Sequence, residues 1–478
     1  MGMKSRLKQN SNFIRVIIIF LAIIIFSCSG SDKPDYTRYE NDERPVEITE
    51  QLNYEEEQKL SSLFTGALNK SLDSLFKVYS RRFSFHGNVL VSYNGMLSYN
   101  KAFGTADFQK DTPLQIDSKF QIASVSKQFT AVAVMMLEEK GRLSYQDTVS
   151  NIIKNFPYER VTIKQLLHHT AGMPNYMWLL EHKWDQDKKA YNDDIVHLMD
   201  KHNTNLYFRP GYRYDYSNTG YAVLALVVEK VSGKRFADFM EDHVFDPLEM
   251  NDTFVYSNAL DRDYPQRLQG YYRRWHRYNP IRETVHDGIV GDKNIYSTVR
   301  DLYKWDQALY KNSLLSNESL EKAFTPLKVR GKWEYPYGFG FRIKTVNDKK
   351  VVYHTGLWEG FRSNFMRYIE DQNTIIILNH TNINVNNILV KKIERLLDRD
   401  LSETPVQKVV NIAITDGHKA ALKAYRNMIE NGEKIEVKKI LEAAQLLSDI
   451  NKPQLSGILI KLYKRTVSSM SVISSDTE

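Results

Sequence analysis

The sequence predicts an α/β protein, because strand-like segments lie on both sides of a helix-rich region and the C-terminal part is entirely helical. Two strand-like runs flank Asn94-Gly95, which is the strongest short signal for a β-hairpin. The patterns that predict further strands lie at 337–343, 351–354, 362–369 and 374–378. Those that predict helices lie at 56–79, 129–137 and 386–397, and much of 143–282 is also helical.

Composition limits the classes of protein that the chain can belong to. Its 478 residues are 42% apolar, enough for a substantial core and for more than one structural unit. The formal net charge is +7. Residues 1–27 contain four basic residues and no acidic residue, so the rest of the chain carries a net charge of +3. No tract has the clustered basic residues typical of nucleic-acid binding, so we expect no nucleic-acid partner.

The N-terminus carries the pattern of an export signal. Basic residues precede an eleven-residue apolar run at 16–26, which is short for a membrane span and ends at Ser27-Cys28. This arrangement resembles the lipobox of bacterial lipoproteins, and Cys28 is the only cysteine in the chain. We therefore expect a signal peptide at 1–27 and an exported, membrane-anchored lipoprotein lipidated at Cys28, on the periplasmic side or at the cell surface. The alternative is an uncleaved anchor with an incidental cysteine.

Changes in composition divide the rest of the chain into three parts. Residues 28–55 are polar and predict a flexible tether. Residues 56–403 contain every candidate catalytic motif. Residues 404–478 predict a small helical appendage with a disordered serine-rich tail. No motif in this segment indicates which partner it would bind. The three helices predicted there cover 413–430, 434–449 and 454–464.

The strongest candidate for a nucleophile is Ser124, which precedes Lys127 by three residues. Positions i and i+3 share one face of a helix, so the lysine can serve as the base that a serine hydroxyl needs. The Ser-x-x-Lys pattern by itself is weak, since it also occurs at Ser5, Ser74, Ser98 and Ser319. Only after Ser124 does a helix follow that is apolar nearly all round and hence buried.

Further polar motifs lie downstream of Ser124. Tyr216 and Asn218 lie on a loop that caps a second apolar helix, and His354-Thr355-Gly356 ends a predicted strand. His168 and His169 are adjacent and lack a third ligand at suitable spacing, so we expect structural rings bonded to backbone rather than a metal site. We expect neither a metal nor an organic cofactor.

These motifs, in this order, resemble the active site of the penicillin-recognising serine hydrolases. The branch that is most similar comprises class C β-lactamases, D-aminopeptidases, D-Ala-D-Ala carboxypeptidases and related esterases. Residues 166–174 and 296–305 also look like this family, and the resemblance covers roughly 60–400. It implies a β-lactamase-like fold, with an antiparallel sheet flanked by helices, a separate helical lobe, and the active site at their junction.

The resemblance also implies roles for individual residues. Ser124 would be acylated, while Lys127 and Tyr216 manage its proton, with Tyr216 as the base. Asn218 would bind the substrate amide, and the backbone N–H groups of Ser124 and Leu357 would form the oxyanion hole. The remaining substrate contacts would come from the strand containing His354, Thr355 and Gly356, and from Asn175, which stands where class C enzymes carry a glutamine.

The third motif departs from β-lactamases, which usually carry lysine where this chain has His354. We expect His354 to face the substrate and to attract its carboxylate more strongly as pH falls, with Arg362 as a possible permanent charge nearby. The resulting hypothesis is a serine hydrolase acting on D-residue-containing peptides or on small esters and amides. The alternatives are a β-lactamase, or a sensor that is acylated on Ser124 without turnover.

Overall fold

The predicted hairpin is present in the computed structural model, which describes residues 48–258, 264, 267–398 and 404–475. Its two strands are antiparallel, with Tyr93 paired to Met96 across the turn. Asn94 and Gly95 both have positive φ, at 50° and 78°. A type I′ turn requires this conformation at both central positions. Cys28 and the predicted signal peptide lie outside the described residues.

The described strands, numbered in chain order, are β1 (Gly87–Tyr93), β2 (Met96–Phe103), β3 (Thr105–Asp107), β4 (Thr112–Pro113), β5 (Phe120–Gln121), β6 (Phe254–Val255), β7 (Tyr271–Arg274), β8 (Arg277–Pro280), β9 (Ile295–Ser297), β10 (Leu327–Val329), β11 (Trp333–Tyr335), β12 (Arg342–Val346), β13 (Lys349–Trp358), β14 (Phe361–Tyr368) and β15 (Asn373–Asn379).

The described α-helices are α1 (Tyr54–Phe83), α2 (Ser126–Glu139), α3 (Ile163–Leu167), α4 (Tyr176–Lys183), α5 (Asn192–Lys201), α6 (Asn218–Ser232), α7 (Phe236–Met240), α8 (Val299–Lys311), α9 (Asn317–Ala323), α10 (Asn386–Leu397), α11 (Thr404–Glu430), α12 (Val437–Asp449) and α13 (Pro453–Ser475).

The central sheet has six strands in the order β12-β13-β14-β15-β1-β2. Every neighbouring pair is antiparallel. Strands from the beginning and the end of the catalytic region therefore meet at the middle of the sheet, where Val89 pairs with Ile377. This pairing confirms the antiparallel sheet that the resemblance implied.

Helices cover both faces of this sheet. Successive strand residues point to opposite faces, so Val89 packs with α1 and α10, whereas Leu90 packs with the core around α2. In the same way Ile375 and Ile377 face α1, and Ile376 faces α2. Both faces of β1 and β15 are thus buried, which explains their nearly continuous apolar sequences.

The segment between β5 and β12 supplies most of the helical lobe. Helices α2 and α6 lie against each other in the largest apolar cluster, together with α3, α4 and α5. Both α2 and α6 are buried around almost their whole circumference, as their sequences predicted. Gly141 follows α2 with φ of 64°, in the left-handed conformation expected of a C-terminal cap.

The C-terminal helices α11, α12 and α13 form a separate apolar cluster that also includes the N-terminal half of α1. Leu60 and Phe64 of α1 and Met96 of β2 are buried in this cluster. The side chain of Gln407 donates a hydrogen bond to the carbonyl oxygen of Tyr93 at 2.9 Å. Residues 48–478 group as one compact unit by contact. The proposed boundary at residue 404 therefore separates two apolar clusters that share α1.

Several helix and strand boundaries differ from the predictions. Helix α13 continues to Ser475, past the predicted end at Lys464 and into the tail expected to be disordered. The strand predicted at 337–343 is shorter and later, because Gly338 and Gly340 lie in a loop before β12.

Among the described residues, no helix is both long enough and apolar enough to span a bilayer.

Candidate active site

Ser124 lies in a single 3-10 turn, Ala123–Val125, that leads directly into α2. The preceding residue, Ala123, has φ of 48°, which is uncommon for a residue with a side chain. Strand β13 passes close to this turn. A Cβ atom on Gly356 would lie 2.4 Å from the Ile122 carbonyl oxygen and 3.0 Å from Ala123 Cβ. Glycine at position 356 is therefore what allows this strand to form one wall beside the nucleophile.

Lys127 is the direct partner of Ser124. Its Nζ lies 3.0 Å from Ser124 Oγ and donates a hydrogen bond to the Asp292 carbonyl oxygen at 2.7 Å. The side chain is fully buried. Burial lowers the pKa of Lys127 to about 7, against the raising effect of the Asp292 charge and with a smaller lowering contribution from the Arg342 charge. A large fraction of this lysine is therefore an uncharged amine at neutral pH, able to accept the serine proton.

Tyr216 also contacts Ser124. Its ring centroid is 5.1 Å from Lys127 Nζ, and its hydroxyl interacts with Ser124 and with Arg342. Burial raises the pKa of Tyr216 above its usual value of 10, despite the lowering effect of both interactions. The phenol is therefore protonated at neutral pH. These pKa directions favour Lys127 as the proton acceptor and Tyr216 as the proton donor, whereas the resemblance implied Tyr216 as the base.

Asn218 and Asn175 both line a cavity of about 260 Å³ next to Tyr216. Asn218 is the first residue of α6, and its buried Oδ1 has no hydrogen-bond partner among the described residues. A substrate N–H group can satisfy this oxygen, as the resemblance implies. Asn175 is exposed and uses its own Oδ1 to accept from Met177 N at the start of α4. Its backbone N–H donates to the hydroxyl of Tyr207 at 2.9 Å.

His354 does not reach the substrate cavity, which corrects the role expected for it. Its side chain is fully buried. Its Nδ1 donates to the Thr355 carbonyl oxygen at 2.8 Å, so Nε2 is left to accept from the Tyr337 hydroxyl at 3.2 Å. Burial, followed by the charges of Arg342 and Lys127, holds the pKa of His354 well below 6.5. The imidazole is therefore neutral and does not replace the charge of a lysine.

The two neighbours of Gly356 lie on the same wall. Thr355 is half-buried and pairs with Asn364 of β14, whereas Leu357 pairs with Arg362 and is 60% exposed. The guanidinium of Arg362 donates to the Asn382 carbonyl oxygen at 3.3 Å and to Asn384 Oδ1 at 3.5 Å. Arg362 is thus engaged with the loop that follows β15.

Of the two adjacent histidines, His169 has a backbone partner. The backbone N–H of Ser217 donates to Nδ1 of the buried His169 at 3.0 Å. The His169 ring lies 4.3 Å from the Tyr216 ring, centroid to centroid, so it supports the loop that carries Tyr216. No group of His, Cys, Asp and Glu side chains within the described ranges could hold a metal ion.

Sequence reasoning did not identify two residues that complete the site. Asp292 holds Lys127 through its carbonyl oxygen, and its own carboxylate accepts from the Tyr176 hydroxyl at 3.0 Å. Arg342 begins β12, and its guanidinium carbon is 5.1 Å from the Tyr216 ring centroid. A glycine-rich loop marked the region of Asp292, but no motif connected either residue with Ser124.

A serine bonded to a buried lysine, with a tyrosine beside it and a strand along one wall, defines the class of penicillin-recognising serine hydrolases. The chain belongs to the β-lactamase family, whose model matches residues 79–394. Members of this family are serine hydrolases, and the β-lactamase-like fold predicted from the motifs is confirmed.

Two relatives and two solved structures illustrate this similarity. Penicillin-binding protein 4* of Bacillus subtilis (strain 168) is 36% identical over 71% of this chain and 79% of its own length. Putative penicillin-binding protein PbpX of the same strain is 30% identical over 57% of this chain and 66% of its own length. A penicillin binding protein from Bacillus halodurans is 25% identical with a TM-score of 0.59, covering 67% of this chain and 98% of that one. The D-amino acid amidase of Ochrobactrum anthropi SV3 shares the fold, with a TM-score of 0.57 at 19% identity over 71% and 98% of the two chains.

Proposed function

We propose that this protein hydrolyses D-residue-containing peptides or small esters and amides through an acyl-enzyme on Ser124. The observation that carries this proposal is the 3.0 Å contact between Ser124 Oγ and Lys127 Nζ, in a buried site that lowers the pKa of the lysine to about 7. A neutral amine next to a serine hydroxyl is the arrangement that activates a weak nucleophile.

In the acylation step, the Ser124 proton moves to Nζ of neutral Lys127 while Oγ bonds to the substrate carbonyl carbon. The tetrahedral intermediate collapses as the bond to the leaving group breaks, and the Tyr216 hydroxyl supplies the proton that the leaving group takes up. Tyr216 then regains a proton from the Lys127 ammonium. The Ser124 side chain connects the two groups, since Lys127 Nζ lies 3.0 Å from Ser124 Oγ and the Tyr216 hydroxyl interacts with the same side chain.

Deacylation repeats these transfers with water in place of the leaving group. Water gives a proton to neutral Lys127 and attacks the ester carbonyl. The bond from the carbonyl carbon to Ser124 Oγ then breaks, Oγ takes its proton from the Tyr216 hydroxyl, and Tyr216 regains a proton from the Lys127 ammonium as the acid product leaves. The buried, unpartnered Oδ1 of Asn218 supports binding of an amide N–H next to the scissile bond. Backbone N–H groups of Ser124 and Leu357 would stabilise the oxyanion, and one such donor is worth on the order of 3 kcal/mol.

We also propose that the enzyme is a lipoprotein anchored through Cys28. The support is the sequence pattern, a short apolar run after a basic segment and before a lone cysteine. The membrane would then hold the enzyme where cell-wall peptides are found. Metabolic labelling of the full-length protein with a fatty-acid analogue tests this proposal, and absence of label would refute it.

Replacing Ser124 with alanine tests the proposed function. We expect wild-type protein to react with a fluorescent fluorophosphonate and to hydrolyse a short-chain nitrophenyl ester. Ser124→Ala should lose both activities, because Ser124 is the hydroxyl that Lys127 activates. The matched control is Ser126→Ala. Ser126 is the first residue of α2, and its hydroxyl accepts a hydrogen bond from the backbone N–H of Ile295 at 3.2 Å instead of contacting Lys127.

The same reagents separate the alternatives. A label from a fluorescent penicillin that decays with time indicates turnover, whereas a permanent label indicates a sensor. Hydrolysis of a chromogenic cephalosporin would indicate a β-lactamase. Hydrolysis by Ser124→Ala at the wild-type rate would refute the acyl-enzyme assignment.

A further inference from the structure

Strands β7 and β8 form a two-stranded hairpin that presents cations and aromatic rings to solvent. Tyr272 pairs with Asn279, and Arg274 pairs with Arg277, so these four side chains share one face of the hairpin. All four are exposed. The turn between the strands carries Trp275, which is 83% exposed. This outer face of the hairpin is thus left uncovered by the described part of the chain.

The opposite face attaches the hairpin to the rest of the protein. The Tyr278 ring stacks on the Phe108 ring, with 3.7 Å between the centroids. The backbone N–H of Tyr271 donates to the His380 carbonyl oxygen at 2.9 Å. The Tyr271 hydroxyl donates to Asp107 Oδ1 at 3.4 Å, also on this packed face. These contacts hold the outer face in a fixed orientation.

The positive charges of the outer face are not compensated. Arg274 and Arg277 stand directly opposite each other, and like charges in this arrangement destabilise an antiparallel pair. Within the described ranges neither of them, nor Arg282 after β8, forms an ion pair or a side-chain hydrogen bond. The sequence from 264 to 282 contains no aspartate or glutamate. An anionic partner would relieve the repulsion between the facing arginines.

Trp275 is a second feature of this hairpin that folding does not explain. Its φ is 59°, a conformation that tight hairpin turns usually assign to glycine, asparagine or aspartate. Among the described residues, no aromatic ring or cation contacts its indole. A strained backbone and a large exposed apolar ring both cost stability, and costs of this kind persist where they serve a function.

We propose that the outer face of this hairpin docks on an anionic phospholipid surface, with Arg274 and Arg277 at the lipid phosphates and Trp275 among the headgroups. Tryptophan and tyrosine concentrate at the interface between lipid and water, and an anionic leaflet attracts arginine. Nucleic acid fits this face less well, because its binding uses about six to ten phosphate contacts. The inference depends neither on lipidation of Cys28 nor on the substrate of Ser124.

Docking through this hairpin orients the active site on the membrane. Gly270, just before β7, lies against the Glu359 carbonyl oxygen, which would be 2.1 Å from a Cβ atom at position 270. Glu359 lies between β13 and β14, two residues after Leu357. The base of the hairpin is therefore joined to the strand that forms one wall beside Ser124, so docking determines which way the site faces.

The test measures sedimentation of the protein with vesicles of phosphatidylcholine, either alone or mixed with phosphatidylglycerol. Every protein comprises residues 28–478 with Cys28→Ala. This chain lacks the apolar run and the acylation site, and it keeps the compact unit of residues 48–478 whole. Thermal melting reports folding of each variant.

The variants are Arg274→Gln/Arg277→Gln and Trp275→Gly. The control that matches the change in charge is Lys154→Gln/Arg160→Gln, since both side chains are exposed and lie in the helical lobe.

We expect the parent chain to bind vesicles with phosphatidylglycerol more tightly than neutral vesicles, and salt should weaken this binding. Arg274→Gln/Arg277→Gln should lower partition onto the anionic vesicles by about 10- to 30-fold, since each arginine contributes about fivefold. The control pair should bind like the parent. Trp275→Gly should lower partition by about tenfold through lost apolar burial. Its melting temperature should stay or rise, because glycine suits a positive φ.

A dye tests whether the hairpin itself meets the lipid. Because Cys28 is the only cysteine and is replaced, His276→Cys provides a single labelling site in the turn. An environment-sensitive dye there should shift to the blue on anionic vesicles. The same dye on Asn155→Cys, an exposed position in the helical lobe, should not shift.

Four outcomes would overturn the proposal. They are binding that ignores phosphatidylglycerol, equal losses for the arginine pair and the control pair, and a dye at position 276 that does not respond to vesicles. The fourth is a lower melting temperature for Trp275→Gly, because the tryptophan would then serve the fold. Binding to heparin without binding to vesicles would also refute lipid docking, and would indicate a soluble acidic polymer as the partner.

Discussion

Lys127 shows how the environment of one residue determines the chemistry of a site. Its amine is fully buried and bonded to Ser124 Oγ and to a backbone carbonyl. Burial lowers its pKa to about 7, near the middle of the physiological range. Tyr216, by contrast, has a pKa raised by burial and remains a phenol. When the pKa of one group is lowered and that of its neighbour is raised, the first can serve as a base and the second as an acid.

The first prediction at this scale concerns pH. Because the base must be unprotonated, kcat/KM for a neutral ester should fall as pH drops through about 7 and level off above about 8. Below the pKa the loss should approach about tenfold per pH unit. His354 should add no step between pH 5.5 and 8, since its pKa lies well below 6.5. Initial rates across this range check the prediction, and a flat profile between pH 6 and 8 would contradict it.

At the scale of secondary-structure elements, a buried ion pair joins α8 to the central sheet. Arg367 of β14 donates from Nε to Asp306 of α8 at 2.5 Å, and both side chains are essentially inaccessible to solvent. Thr374 of β15 donates to the other carboxylate oxygen at 2.8 Å. The Arg367 guanidinium carbon also lies 4.2 Å from the Tyr310 ring centroid. These contacts hold α8 against one face of the central sheet.

Removing one partner of this pair should destabilise the fold strongly. Asp306→Ala leaves a buried arginine unpaired, which costs about 3–5 kcal/mol. The control is Asp371→Ala, which breaks the exposed 2.7 Å pair with Lys349 and should cost at most about 1 kcal/mol. Urea unfolding of both variants measures the difference. Equal losses of unfolding free energy would show that burial of the pair does not matter.

At the scale of the whole molecule, the C-terminal helices cover apolar surface of the catalytic region. Leu60, Phe64 and Met96 are buried in the cluster formed with α11, α12 and α13. Lys452, just before α13, also pairs with Glu56 near the start of α1 at 3.2 Å. Full burial of one large apolar side chain contributes about 1.5–3 kcal/mol. These three side chains therefore contribute an amount comparable with the net stability of about 5–15 kcal/mol of a typical domain.

Truncation before Thr404 should therefore lower the melting temperature and the solubility of the protein. Among the described residues, Val125 and Phe129 beside Ser124 belong to a different apolar cluster, so any soluble fraction should still react with a fluorophosphonate. Melting and labelling of the truncated and full-length chains are the measurements. A truncated chain as stable and soluble as the full-length protein would support an independent appendage.

The sequence by itself determined the fold class and predicted the contact between Ser124 and Lys127 and the loop with Tyr216 and Asn218, because these depend on short-range patterns. Spacing of three residues puts Ser124 and Lys127 together, and an Asn-Gly pair specifies the first hairpin wherever it lies. Gly356 was also identified within its motif, although the close approach that requires it is visible only in the structure.

Only the tertiary structure decided the protonation roles and the position of positive charge. The pKa values of Lys127 and His354 depend on burial and on Arg342, which is 215 residues from Lys127 in the sequence. Asp292 supplies a backbone carbonyl, a group that every residue type has and that no side-chain motif reveals. Desolvation and contacts between distant segments arise only when the chain packs, so they cannot be predicted from local sequence patterns.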